Sequence, residues 1–419
     1  MKANKLIILF VIFFIAGNIV YVQAQSPLVA DSLFVHPIRF EHYLNNVGKN
    51  NLSLLVEKYN VKIADAGVIA AKVMPDPELT FESNENDYKL ELGYALELGN
   101  KRGARVQLAK SEAELSKLVL EHFFQELRAE ATEAFLNAIY QRELLNVKQS
   151  SYKYMVQLNY SDSLRFRLGE ITENDVRQSK LETVTLLNEV YAQEAEYKSA
   201  LVILNQYMGL TVDTLNLPMG KLIGLKRNFT LSELISIASS NRVDLMATHK
   251  NSQIVTNQLR LARAERWIDL GLKAGYERDW NGLFPKKDMV TVGVSIPLKF
   301  SNFNKGAIRV ANYAVEQSRY EIDNSLLQIQ TEVSQAFYQH EAIKKQMNQY
   351  ESGLLDESQK VLNGMVYKYK RGETSILEVL IAQRSYNEFQ EQYLETIKSY
   401  ASSLVNLEKT CGIWDINFE

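Results

Sequence analysis

The sequence predicts a long α-helical coiled coil carrying β-hairpins of the membrane-spanning type, the whole built as two tandem repeats. Three observations predict it. Residues 103 to 209 can be laid on 306 to 412 at one constant shift (306 less 103 is 203), best in FRLGEITENDV (166 to 176) and YKRGETSILEV (369 to 379), where Gly169 falls on Gly372 and Glu170 on Glu373. Both copies are dominated by heptads of apolar residues, and both contain short segments in which the apolar period drops to two. A long internal repeat of this kind means one structural unit used twice.

The helices come first. In the first copy Leu120, Phe124, Leu127, Ala131, Ala134, Ala138 and Leu145 follow a four-three rhythm, with Gln141 the one polar member. In the second, Ile322, Leu326, Ile329, Val333, Ala336, His340, Ile343, Met347 and Tyr350 do the same, and a further series runs from Val379 through Tyr386, Tyr393 and Tyr400 to Cys411. Apolar residues every 3.5 positions make helices wrap around partners, because a straight helix drifts against that period. A helix over about 102 to 165 would be roughly 95 Å long, and helices over about 40 to 73 and 172 to 208 roughly 50 and 55 Å, so two short helices match one long one. With only 7 prolines and 19 glycines in 419 residues, little punctuation interrupts such elements.

The strands follow. Leu90, Leu92, Tyr94, Leu96 and Leu98 alternate with polar or small residues, as do Val290, Val292, Val294, Ile296 and Leu298, with partners at about 78 to 83 and 270 to 276. This alternation over about ten residues suits a barrel with lipid on one side and a lumen on the other. A soluble half-buried sheet would show the same alternation; if these strands cross a membrane, four are too few to close a barrel and open edges are not tolerated in hydrocarbon, so several chains must share one. The expected organisation is a signal peptide at 1–24, a first repeat at 25–209 with its hairpin at about 77–98, a joint at 210–228, and a second repeat at 229–419 with its hairpin at about 269–299.

Lys2 and Lys5 precede the apolar run Leu6 to Ile15, and Val22-Gln23-Ala24 closes it, which fits a secretory signal cleaved after Ala24. Cys411 is the one cysteine, so neither an internal disulfide nor an acylated N-terminal cysteine is expected, and the protein is not read as a lipoprotein. A net charge of −3 argues against nucleic acid as a partner.

These stretches, together with YALELGNKRGARV (94 to 106) and IPLKFSNFNKGAIRV (296 to 310), resemble the TolC family of outer-membrane efflux proteins across nearly the whole mature chain. The resemblance implies a homotrimer in the outer membrane of a Gram-negative cell, with a shared 12-stranded barrel on a periplasmic α-helical tunnel, and the joint in a belt around its middle. It implies a passive duct rather than an enzyme, docking a periplasmic adaptor protein and an inner-membrane pump to export small toxic compounds such as drugs or heavy-metal cations. A type I protein secretion duct uses the same fold, and an exported coiled-coil scaffold would share the heptads but not the matched hairpins.

By the same resemblance, the helical-hairpin tips Leu168-Gly169-Glu170 and Arg371-Gly372-Glu373 meet the adaptor, with charge where the family often has aliphatic residues. Asp175 and Tyr369 fall on gate positions and could share an O–H···O bond. Glu378 keeps one acidic ring position, while Ile381 and Thr374 stand where the family has a second acid and a basic latch. Three Glu378 carboxylates on a threefold axis would attract cations.

Other chemistry finds no support in the pattern. The histidines, 36, 42, 122, 249 and 340, have no metal-ligand spacing, and His340 on a heptad seam reads as a packed core residue. Cys411 and the tyrosines at seven-residue intervals read as packing. No phosphate-binding glycine loop and no cluster of methionines is present, so no cofactor or metal is expected.

Overall fold

The computed structural model describes residues 34–85, 87–211, 214–220, 228–279, 288–298 and 303–415. The expected signal peptide, part of the joint and residues 280–287 of the second expected hairpin lie outside them. Residues 35 to 419 form one compact unit. Its elements are β1 (Phe34–Ile38), α1 (Phe40–Asn50), α2 (Leu52–Ala71), β2 (Glu78–Ser83), β3 (Asp87–Leu96), α3 (Lys101–Arg167), α4 (Glu173–Tyr207), β4 (Thr214–Pro218), α5 (Leu231–Asn241), α6 (Val243–Ala264), β5 (Leu270–Asp279), β6 (Asp288–Ser295), α7 (Lys305–Gln349), a π-turn (Tyr350–Leu354), α8 (Leu355–Lys370) and α9 (Ile376–Cys411).

The four long strands form one antiparallel sheet in the order β2-β3-β5-β6. Its register pairs Leu79 with Leu92, Phe81 with Leu90, Leu92 with Ala274, Leu272 with Val294 and Ala274 with Val292, so one face is apolar across all four strands. The other face carries Thr80, Lys89, Glu91, Lys273 and Thr291, and Glu91 takes Lys89 at 2.9 Å and Lys273 at 2.6 Å. The apolar face is bare: Phe81 is 67% exposed and Val292 83%. Among the described residues no helix is long and apolar enough to cross a membrane.

Helices hang from the strands in the same lateral order, α2 beside α3, α3 beside α6 and α6 beside α7. Lower down, α4 lies along α3, and α9 packs against both α3 and α8. One predicted element is divided: instead of one helix over about 40 to 73, Asn51 separates α1 from α2. Its side chain caps α2 by accepting from Leu54 N at 3.0 Å and donates to Tyr207 O at 2.9 Å, closing the end of α4. Here Gly209, at φ +67°, lies so close to Asn50 that a Cβ would stand 2.4 Å from the Asn50 carbonyl oxygen. The second repeat repeats the joint: Gly412, also at φ +67°, abuts Asn241, where Arg242 divides α5 from α6. Each lower helix thus ends on the break between two upper ones.

The repeats differ in one long helix. α3 runs unbroken for 67 residues, about 100 Å. Its counterpart is broken by the π-turn, where Gly353 has φ +94°. The core is thickest where β1, β4 and the helix joints meet, around Tyr43, Phe135, Leu136, Leu204, Met208 and Leu404. His340 is buried as expected, with Nδ1 2.9 Å from Ser403 Oγ.

Candidate functional site: the paired helical-hairpin tips

Both tips turn through the same hydrogen bonds. Gly169 N donates to Phe166 O and Glu170 N to Arg165 O; Gly372 N donates to Tyr369 O and Glu373 N to Lys368 O. This pattern needs a residue with positive φ after the last helical turn, met by Gly169 at +77° and Gly372 at +73°. Leu168 is 74% exposed between the two hairpin helices. The charged residues of each tip pair locally, Arg165 Nε with Glu170 at 3.1 Å and Arg371 Nε with Glu373 at 2.7 Å.

The expected Asp175–Tyr369 bond is corrected. Asp175 is the third residue of α4, where it caps the helix: its Oδ2 accepts from Thr172 N at 3.0 Å and Thr172 Oγ1 at 2.8 Å. A Thr-x-x-Asp run before a helix is itself a capping-box signature, so the local bond wins over the long-range one. The Tyr369 hydroxyl donates instead to Asp162 Oδ1 at 2.9 Å. Both side chains are buried, in a small core with Met155, Leu158, Ile376 and Val379. Arg165 lies over the Tyr369 ring, 4.9 Å from its centroid, and donates to Tyr369 O at 3.3 Å.

Burial pushes the Asp162 carboxyl above the ordinary carboxylate range; the Tyr369 hydroxyl, Ser179 and Arg165 offset this only in part. Burial, reinforced by Asp162, raises Tyr369 as well, so it stays a neutral donor. Higher on the same hairpins, Arg384 grips Glu182 through Nε at 3.0 Å and Nη2 at 2.5 Å, joining α9 to α4. Lys148 on α3 likewise bridges Glu189 of α4 and Glu391 of α9. Thr374 is half-buried in the turn before α9, and Glu378 is exposed in its first turn.

Asp162, Glu182 and Arg384 were missed by sequence reasoning, yet the first two carry a signal. Met155, Leu158 and Asp162 follow three-four spacing, as do Ser179, Glu182 and Leu186, so each acid occupies a seam position otherwise filled by packing residues. Among the described residues no cluster of three or more metal-binding side chains occurs.

A sheet with one apolar face and two open edges, continuous with a row of coiled-coil helices, is the arrangement that a protomer of a shared membrane barrel requires. Residues 234–412 match the family model described as outer membrane efflux protein. The cobalt-zinc-cadmium resistance protein CzcC of Cupriavidus metallidurans is 22% identical, covering 90% of each chain. The outer membrane efflux protein BepC of Brucella suis is 22% identical over 80% of this chain and 76% of its own. Crystal structures of CusC superpose at a TM-score of 0.74 and 16% identity, covering 93% of this chain and 96% of that one. The Campylobacter jejuni CmeC outer membrane channel gives 0.75 at 14% identity, covering 89% and 85%. These likenesses agree with the resemblance to outer-membrane efflux proteins that the glycine turns and hairpins suggested, the family model matching the second repeat.

Proposed function

We propose that three copies of this chain close one 12-stranded barrel and one helical tunnel, forming the outer-membrane exit duct of a tripartite efflux system. The observation that carries this is the pair of open edges, β2 and β6, on a sheet whose apolar face is bare. Each unpaired backbone group in hydrocarbon costs several kcal/mol, and ring closure with neighbouring copies removes both edges at once. The helices below repeat the need. Edge helix α2 exposes Leu52, Val56, Tyr59 and Ile63, and edge helix α7 exposes Val310, Tyr313, Tyr320 and Leu327, two heptad stripes without a partner in the protomer.

In this reading the duct performs no chemistry. Outer-membrane lipid surrounds the barrel, the tips around Gly169 and Gly372 receive the periplasmic adaptor, and the inner-membrane pump supplies cargo and energy. Likeness to a cobalt-zinc-cadmium resistance protein over 90% of the chain favours metal cations among small toxic cargoes. Likeness to the alkaline protease secretion protein AprF of Pseudomonas aeruginosa, over 70% of this chain, favours a second reading as a protein secretion duct. In this proposal the gate comprises Tyr369 with its partner Asp162, Asp175 in the first turn of α4, Thr374 in the turn before α9, and Glu378 at the mouth.

The test is to purify the protein from outer membranes, establish its oligomeric state and measure conductance in planar bilayers. A conducting trimer is expected; a monomer that stays soluble after export would sink the proposal. Loss of cobalt, zinc or cadmium tolerance in a deletion strain, with protein secretion intact, would select the metal reading over the secretion one.

A further inference from the structure

The sheet register brings the end of α6 and the start of α7 together. Gly271 at the beginning of β5 pairs with Ser295 at the end of β6, and Asn304 Nδ2 donates to Ala262 O at 2.9 Å. At this junction the chain places Arg260, Arg263, Arg266, Lys305 and Arg309, all exposed, with Trp267 62% exposed among them. None of these five cations has an ion-pair partner among the described residues, and the single acid in the run 260 to 267 is Glu265. The first repeat's junction is different: Lys101 is held by Asp269 at 2.6 Å and Arg105 by Glu97 at 2.9 Å. Two of the cations there, Lys101 and Arg105, are paired within the fold; all five at the second junction are left for an outside anion.

Their direction is also set. α6 meets α3 through Lys250 and Asn257, bonded to Glu114 and Ser111, and meets α7 through Ser252 and Ala262, bonded to Ser318 and Asn304. Arg260 and Arg263 continue the exposed stripe of His249 and Thr256, at heptad spacing and away from both neighbours. The ten residues of β5 begin at Leu270 on the apolar face, so Arg266 and Trp267 fall just beyond the apolar band. A headgroup layer is roughly 5 to 8 Å deep on each side of a bilayer, which the last turn of α6 would occupy. Exposed tryptophan and clustered Lys and Arg next to a spanning segment are the side chains that meet headgroups.

We propose that this α6–β5–α7 junction is a binding surface for the phosphates of anionic phospholipid in the leaflet facing the periplasm, one per protomer. Arginine forks would take the phosphate oxygens, and Trp267 would lie at the boundary between headgroup and chain. The inference rests on the reading of the sheet as membrane-spanning.

The experiment reconstitutes the full-length trimer into vesicles of phosphatidylcholine alone or of an equimolar mixture with phosphatidylglycerol. Lipid retained on release is then measured by native mass spectrometry. Selective retention of phosphatidylglycerol is expected, weakened roughly fivefold for each arginine removed in the variant Arg260→Gln/Arg263→Gln/Arg266→Gln. Lys305→Gln/Arg309→Gln, on the other helix, should weaken it in the same direction and keeps the test alive if the triple variant misfolds. Retention at the wild-type level by both variants would overturn the proposal. Displacement of the lipid by millimolar inorganic phosphate would do so too, pointing to a site for free phosphate. Unchanged retention with altered ion selectivity of the pore would place these cations in the lumen. Failure to insert into phosphatidylcholine sinks the membrane reading itself; insertion with indifference to phosphatidylglycerol sinks this inference alone.

Discussion

The Tyr369 hydroxyl donates to Asp162 Oδ1 at 2.9 Å across 207 residues of sequence, tying the second repeat's hairpin to the first within the buried tip core. The other carboxylate oxygen, Oδ2, is buried without a donor. Replacing Tyr369 with Phe would remove the hydroxyl that Oδ1 accepts from, a loss of about 1 to 3 kcal/mol for an unsatisfied buried group. The variant should therefore show a lower thermal midpoint and a larger or more frequently open single-channel conductance. Wild-type conductance in Tyr369→Phe would remove this bond from the gate.

The pH dependence follows from the same pair. Asp162 has its pKa raised in the fold by burial, so the folded state binds the proton more tightly than the unfolded one. Its contribution to stability is then fully present below the ordinary carboxylate range and is lost as pH rises through the raised value. Acidification across that window should steady the tip, and Asp162→Asn should flatten this part of the profile. Thermal midpoints measured from mildly acidic to neutral pH check the sign; an Asp162→Asn profile as steep as wild type would contradict it.

The tip and joint glycines should separate by what a methyl group would meet. At Gly169 and Gly372 nothing lies within 4 Å of an added Cβ, so alanine faces only the left-handed backbone cost, about 1 to 2 kcal/mol. At Gly412 the Cβ would stand 3.0 Å from Asn241 O, and at Gly209 2.4 Å from Asn50 O, both backbone atoms that a side chain cannot relieve. Thermal stability should fall most in Gly209→Ala, less in Gly412→Ala and least at the tips. If Gly169→Ala or Gly372→Ala instead proves the most damaging, the joints are softer than their geometry implies.

This ordering also marks what was legible in the sequence. The 203-residue shift and the two periods located the helices and strands, because burial on one helix stripe or one sheet face imprints a period on the residues. The division at Asn51 was not read, although Gly48-Lys49-Asn50-Asn51 is a run of turn and N-cap residues; Asn51 serves as that cap, and Tyr207 O, 156 residues away, takes its amide. The gate was half legible. Tyr369 was identified, but its partner was assigned to Asp175, whose Thr172 cap satisfies it locally, while Asp162 lay hidden on a heptad seam.

Glu378 is exposed in the first turn of α9. On the proposed ring of three Glu378 carboxylates, Glu378→Gln would remove their attraction for cations. Block by divalent cations in single-channel recordings should weaken, with open conductance little changed. An unaltered block would return Glu378 to the role of a solvated residue near a helix N-terminus.

The membrane reading makes the sharpest contrast on β6. Val292 and Thr291 are adjacent in sequence but point to opposite faces, Val292 pairing with Ala274 on the apolar side and Thr291 with Gly275 on the polar side. A soluble sheet with its apolar face bare, Val292 being 83% exposed, would accept lysine at 292 and gain solubility. A lipid-facing strand would not: lysine near mid-bilayer costs about 2 to 4 kcal/mol, and three copies multiply the penalty around one barrel. Lysine at 291 would meet a lumen already holding Lys89, Lys273 and Glu91. Val292→Lys should therefore deplete trimers from the outer membrane while Thr291→Lys leaves them assembled, read by membrane fractionation and gel mobility of unheated samples. Equal assembly of the two variants would mean that this face does not meet lipid.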